Sequence, residues 1–402
     1  MPVNVESADL TVELGKWKDG IVNTVPGKII PGSALLDAVN VDIDDAGSVR
    51  RRSGFTKEIS GGICGSLYSK AGRMFFVDDG SLKEVVNNAG TYTTDVLETG
   101  LQIGEKVSFA YANGSYYWSG TTMNGRITDA GNRDFGVEVP GSNPVLTAGS
   151  GTLFPGEYKV ALCFVSSRGE QSAAKYAESV VVGDNGSISL SGIAQPISAE
   201  ITHIRVFVSE ANSIQLYKAV DLPVGTTSYV INKSTTKGME LKTEGLAKFH
   251  PCPILSYWRG RILGADGNVL WFSEPMALGI VDVRKNFLVF PEDISVVVSV
   301  EDGFYVCSDR TYFVSGGSPD EWSQAVVFPY GAVKHSSFEN EKEKQVGWMS
   351  RFGMVVAGNG GQAKNISVDR VALDYTDASG ASMLFRENGI ERIVLMLPRL
   401  WS

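Results

Sequence analysis

The sequence predicts an all-β protein, a β-propeller built from short antiparallel hairpin repeats with an inserted β-sandwich, and three observations predict it. Glycine is abundant, 45 of 402 residues, and Asp-Gly, Asn-Gly, Gly-Gly and Ser-Gly pairs recur along the chain. Tight turns between strands need such residues, because Gly and Asn tolerate positive φ. Apolar and polar side chains alternate with period two in many short runs. A unit of apolar strand, Gly/Asn/Asp turn and aromatic-rich strand returns five times, and radially repeated sheets let each copy cover its neighbour's face.

Residues 1–38 read as an extended arm, broken by Gly15, Gly20, Pro26, Gly27, Pro31 and Gly32. Its one helical candidate spans 32–39, with Ser33 as cap and Leu35, Leu36 and Val39 as the buried stripe. The first blades occupy 39–142. They open on a hairpin: Val39, Val41 and Ile43 alternate with Asn40, Asp42 and Asp44, Asp45, Ala46 and Gly47 turn, and Val49 to Phe55 returns. The five repeats lie at 65–80, 107–118, 254–272, 296–313 and 346–357, the last three in the remaining blades and closure, 236–402.

Between 143 and 235 the rhythm breaks. Strands at 156–165, 179–182, 187–190, 201–208, 215–220 and 228–231 fit a small sandwich inserted between blades. Its Tyr-bearing first strand after Gly156-Glu157 and its Arg205-Val206-Phe207 run resemble fibronectin type III domains.

Net charge is −9 and the pI near 5.1, which disfavours a clamp on nucleic-acid phosphates and suits a surface past which DNA slides. Cys64, Cys163, Cys252 and Cys307 form no CxxC pair and read as apolar core residues. No secretory leader opens the chain and no apolar run approaches ~20 residues, so synthesis and folding in the cytoplasm are expected.

Catalysis is hard to assemble. His203, His250 and His335 are the only histidines and are far apart. No zincin, P-loop or nucleophile-elbow motif occurs. Asp42, Asp44 and Asp45 lack the closing Glu of a calcium loop, position twelve being Ser53. Arg50, Arg51 and Arg52 point to alternate faces of a strand, so salt bridges to Asp42, Asp44 or Asp45 across the hairpin, or to a neighbouring subunit, are expected rather than one phosphate patch. Tyr116, Tyr117, Trp118, Trp258 and Trp271 could stack on sugars, but their alternation favours packing between sheets. Asp78, Asp79, Glu292, Asp293 and Asp302 sit at turns and supply no pair for glycoside cleavage. The expectation is a protein that is not an enzyme, with no cofactor and no metal.

Asn40, Val41, Gly47, Arg52, Gly54 and Phe55 carry a resemblance. They match the Asn-Val-x5-Gly-x4-Arg-x-Gly-[Phe/Tyr] segment that follows a Pro-rich arm in a family of short-tailed bacteriophage tail proteins, and here the segment follows Pro26 to Pro31. The repeat from Trp258 to Ser273 is similar to that family's propeller repeats. The resemblance implies a structural virion protein of the tail nozzle, made in the host bacterial cytoplasm and placed in the virion tail. It implies a homo-oligomeric ring, usually sixfold, partnered by the head-to-tail adaptor, with tail fibres as a further partner. Phage genomic DNA would be retained in its channel and released through it. The insertion at 143–235 departs from the simplest members. The rival readings are a carbohydrate-binding or depolymerising propeller and a cellular propeller scaffold. A late strand, 390–397, is expected to close the propeller by pairing with the opening hairpin.

Overall fold

A computed structural model of the chain describes residues 16–44, 46–52, 56–233, 237–371, 379–387 and 390–396. The arm supplies β1 (Gly20–Ile21) and β2 (Ala34–Leu35), paired in parallel. The expected helix at 32–39 is absent: Leu36 and Val39 are exposed, and only Ala34 of that stretch is buried. Eight residues without a packed face cannot offset helix nucleation. The opening hairpin follows as β3 (Val41–Ile43) and β4 (Val49–Arg51), in register Asp42 opposite Arg50.

Two blades come next, each a four-stranded antiparallel meander. The first is β5 (Cys64–Lys70), β6 (Arg73–Asp78), β7 (Ser81–Asn88) and β8 (Thr91–Glu98). The second is β9 (Ser108–Ala112), β10 (Ser115–Ser119), β11 (Asn124–Thr128) and β12 (Gly131–Asp134). Their tips explain the Gly-rich composition. Asp79-Gly80 has φ of 47° and 75°, and Asn113-Gly114 has 51° and 74°, the left-handed pair that a two-residue hairpin turn demands.

Seven strands of the insertion then form two sheets: β13 (Val145–Leu153), β14 (Gly156–Ser166), β15 (Glu178–Val182), β16 (Gly186–Ser191), β17 (Ile201–Ser209), β18 (Leu216–Pro223) and β19 (Ser228–Ile231). One sheet has the order β13-β16-β19 and the other β15-β14-β17-β18. Both contribute to one core that includes Leu162, Phe164 and Val206 from the larger sheet and Leu153, Ile188 and Ile231 from the smaller. The insertion is tied to the second blade by Arg126, 6% exposed, whose guanidinium reaches Glu170 at 2.8 and 3.0 Å. Arg133 pairs with Glu200 at 2.8 Å at the same base.

The chain returns through β20 (Ala247–Lys248) to the third blade, β21 (Ile254–Trp258), β22 (Arg261–Asp266) and β23 (Val269–Phe272), with β24 (Ile280–Val281) pairing β20, and β25 (Phe287–Val289) as the outer strand. The fourth blade is β26 (Val296–Ser299), β27 (Gly303–Cys307), β28 (Thr311–Ser315) and β29 (Ser323–Phe328). The fifth is β30 (Phe338–Asn340), β31 (Gln345–Ser350), β32 (Gly353–Ala357) and β33 (Ala363–Asn365). A last hairpin, β34 (Ala381–Glu387) with β35 (Ile390–Met396), packs beside β30.

The fold is a β-propeller. Sheet follows sheet around a common axis, β5 beside β9, β9 beside β21, and β21 beside β26. Four of the five expected repeats fall on the first strands of a blade; the fifth, 346–357, falls on the second and third strands of its blade.

Apolar cores fill four successive seams. Phe75 and Leu82 meet Phe109 and Trp118 between blades one and two, and Tyr117 and Phe135 meet Phe249 and Ile262 between two and three. Trp258 and Phe272 meet Phe304 and Trp322 between three and four; Tyr305 and Phe313 meet Trp348 and Val355 between four and five. Removing such a side chain from water stabilises by about 1.5–3 kcal/mol. The aromatics take the packing role that their alternation favoured over sugar stacking: Tyr116, Tyr117, Trp118 and Trp258 are at most 5% exposed and Trp271 is half-buried. Cys163, Cys252 and Cys307 are buried free thiols as read, but Cys64 is exposed.

Candidate functional site

Two places concentrate polar structure. The first is the opening hairpin. Asn40 has φ +55°, a conformation Asn tolerates better than most residues, and the Arg52 amide donates to its carbonyl at 3.0 Å. Gly47 has φ +81° and accepts the Trp17 amide at 2.7 Å; a Cβ there would lie 2.7 Å from the Trp17 nitrogen. Only glycine fits that approach. Val41 lies on β3 opposite Arg51 and is half-buried. Arg52 Nε donates to Asp42 Oδ1 at 3.1 Å. The other Asp42 oxygen accepts from Arg392 Nη1 at 3.4 Å. Gly54 and Phe55 lie outside the described residues.

The hairpin is thus a latch joining the arm to the C-terminal strand. Asn23 N–H donates to the Arg370 carbonyl at 2.9 Å, and Thr24 Oγ1 to that of Asp369 at 2.7 Å, beside it. The expected closure by strand pairing takes a different form: β35 ladders with β34, and it meets the opening hairpin through the Arg392–Asp42 side chains. Leu397 lies outside the described residues.

The second place is the propeller's central funnel, a cavity of about 410 Å³ reached by all five blades. Tyr68 and Lys70 come from β5, Tyr111 from β9, Tyr257 from β21, Glu301 from the turn after β26, and Glu339 and Glu341 from β30 and its turn. Lys70 Nζ lies 2.9 Å from Glu339 Oε2 and also contacts Glu341. Burial works to lower the Lys70 pKa, but the two carboxylates outweigh it and hold the ammonium above its ordinary value. Lys344 approaches Glu301 at 3.8 Å across the next blade boundary. Burial, then Glu339, pushes the Tyr68 phenol up, so it stays protonated and stacks on Phe109 at 4.9 Å.

The funnel residues were not singled out by the sequence reading. Lys70 and Glu339 are 269 positions apart. Aligning the repeats on their turns would have placed Lys70, Tyr111, Tyr257 and Glu301 near one column, at the end of each blade's first strand.

Among the described residues no histidine faces a partner suited to proton transfer. His203 is exposed, with Nδ1 2.8 Å from the adjacent Thr202 hydroxyl. His250 lies between Phe249 and Trp271, and burial lowers its pKa. His335 is pushed down to about 4 by burial and by Lys334 and Lys106. Asp78 is buried, accepting from Gly62 N–H and Lys83 Nζ, both of which lower its pKa. Among the described residues no three His, Cys, Asp or Glu side chains converge as a metal-binding group, and no helix is long and apolar enough to cross a membrane.

No family model and no curated protein matches the chain. Among solved structures it is similar to the Pan2 WD40 domain of Neurospora crassa, at TM-score 0.33 and 8% identity over 82% of this chain and 84% of that one. Apo AztD from Citrobacter koseri matches at TM-score 0.28 and 12% identity, covering 74% of this chain and 84% of that one. The AfRom2 CNH domain matches at TM-score 0.27 and 8% identity, covering 84% and 94%. Likenesses this distant say nothing about activity.

Proposed function

We propose that the chain is a structural virion protein, the subunit of a ring-shaped nozzle at the end of a short phage tail, channelling and retaining genomic DNA. The observation that carries the reading is the hairpin geometry. Asn40, Gly47 and Arg52, shared with the tail-protein signature, each hold a backbone or ion-pair position in the latch. A residue set retained for such a joint would be needed in any subunit whose propeller must stay closed.

The DNA channel in this reading lies between subunits, since a 410 Å³ funnel is of small-molecule size and cannot pass a duplex. A net charge of −9 per subunit keeps DNA confined but weakly held. Contacts between copies would be heterologous and close by rotation. We read the inserted sandwich as the outward, fibronectin type III-like module facing fibres or the cell envelope. Phe154, Val181 and Ile214, all at least 70% exposed, sit at its end away from the second blade. The carbohydrate reading is weaker, because the aromatics it needed are packed between blades.

Native mass spectrometry of the purified chain, alone and with a head-to-tail adaptor ring, tests the proposal. A closed ring, with six copies as the expected number, supports it. A strict monomer with no affinity for the adaptor overturns it in favour of a cellular scaffold or sugar-binding propeller.

A further inference from the structure

The central funnel carries chemistry that the nozzle reading leaves unused. Three half-buried phenols line it, Tyr68, Tyr111 and Tyr257, one from the first strand of each of blades one to three. Among the described residues their hydroxyls have no hydrogen-bond partner. Phenols at the neighbouring seams are matched: Tyr116 donates to the Lys70 carbonyl at 2.9 Å, and Tyr305 to that of Gly358 at 2.6 Å. A tyrosine withdrawn from bulk water normally finds a partner, so three unmatched hydroxyls around one cavity point to a polar guest. The charges select its sign. Three carboxylates, Glu301, Glu339 and Glu341, stand against two ammonium groups, Lys70 and Lys344, leaving one negative charge over. Lys70 is committed to Glu339 and Glu341. Glu301 meets Lys344 at 3.8 Å, with the two side chains 72% and 77% exposed, a loose pair that can exchange its ammonium for another. The phenol rings add to the same preference, since their electron-rich faces attract cations.

We propose that the funnel binds a small organic cation of the linear alkyl diamine or polyamine class. One ammonium takes the place of Lys344 beside Glu301, and the methylene chain lies against the tyrosine rings and the apolar wall of Phe109, Val300 and Val346. Lys70 is the internal precedent, an ammonium on a methylene stem held between two carboxylates at the same opening. A volume of about 410 Å³ lies within the range of small-molecule sites. An anion would face the surplus carboxylate, and a neutral sugar would gain nothing from it. The site is built within one chain and does not depend on the ring.

Isothermal titration calorimetry of the full chain with spermidine tests the proposal. One spermidine should bind per chain, and glutarate and glucose, an anionic and a neutral probe, should bind at least about tenfold more weakly. Glu301→Gln should weaken spermidine about tenfold, because a hydrogen bond between charged groups is lost. Tyr257→Phe keeps the ring and loses the hydroxyl, and should weaken it about threefold. Lys344→Met removes the competing ammonium and should tighten binding about twofold. Asp184→Asn, which neutralises an exposed carboxylate on the insertion, should leave the affinity unchanged. Three results overturn the proposal: no saturable binding of spermidine, equal affinity for glutarate or glucose, or a loss in Asp184→Asn equal to that in Glu301→Gln. The last would mark general attraction to an acidic surface. Ring formation is scored separately, by native mass spectrometry, so the nozzle reading and the amine site can each fail without the other.

Discussion

Four of the five blade boundaries and the remaining one are built on different physics. Between blades four and five, Trp348, fully buried, packs with Tyr305 at 5.4 Å and with Val355 in a continuous apolar core. Between blades five and one the ion pairs are those of Lys70 with Glu339 and Glu341; beside them the Asp42–Arg392 pair joins the opening hairpin to the last hairpin, which lines an open groove with the first blade. The four apolar seams join consecutive blades, the second of them across the insertion, and the polar contacts tie the first blade to the fifth. Apolar packing is non-directional and tolerates neighbours built as copies of one hairpin. Ion pairs have fixed partners, so they specify which two blades close, though exposed ones add little stability.

The contrast gives an order of effects. Trp348→Ala should be the most damaging, costing about 3–5 kcal/mol in a urea titration through lost burial and the cavity left behind. A cost near that of a surface substitution would show that the fourth seam is not a core.

Acid should act next, near the polar seam. His335, half-buried before β30, titrates at about 4 when folded against an ordinary 6.5, because burial and the ammonium groups of Lys334 and Lys106 disfavour its charge. The unfolded chain therefore binds the proton more readily. The stability tied to its neutral form is complete above about pH 6.5 and is lost as pH falls through about 4, roughly 1–3 kcal/mol in all. Melting temperature should decline from pH 7 to pH 5 in the parent, and His335→Asn, which keeps a residue tolerant of φ +60°, should flatten the decline. An identical slope in both would remove His335 from the account.

Lys70→Met should have the smallest effect, about 0.2–1 kcal/mol, because Glu339 and Glu341 are 52% and 67% exposed and screened by water. A loss as large as that of Trp348→Ala, measured by the same titration, would erase the distinction between the seams.

The sequence reading reached the all-β repeat because turns and strand alternation are local, and Asn113-Gly114 or Tyr116 to Trp118 announce themselves within a few residues. The opening hairpin is legible for the same reason, with an ion pair between one of Arg50 to Arg52 and one of its aspartates expected; the structure selects Arg52 and Asp42, ten positions apart. What the sequence reading missed is non-local. Nothing near Lys70 indicates Glu339, and although the strand at 390–397 is expected beside the opening hairpin, nothing local indicates that Arg392 meets Asp42 by side chains in place of strand pairing. The helix expected at 32–39 failed because propensity was read without a surface to pack on. Leu36 and Val39 found none.

The latch also sets an order of events in folding. Each blade is a meander whose contacts close within a few tens of residues, so its sheets can form while the rest of the chain is still emerging from the ribosome. Asp42 and Arg392 are 350 positions apart, and their meeting waits for almost the whole polypeptide. The wait carries little thermodynamic penalty, since loop-closure entropy grows only with the logarithm of length, about 0.6 kcal/mol per doubling. Its weight is kinetic. Until the last hairpin arrives, the first blade's outer face stands open, and the circle is a crescent with sticky ends.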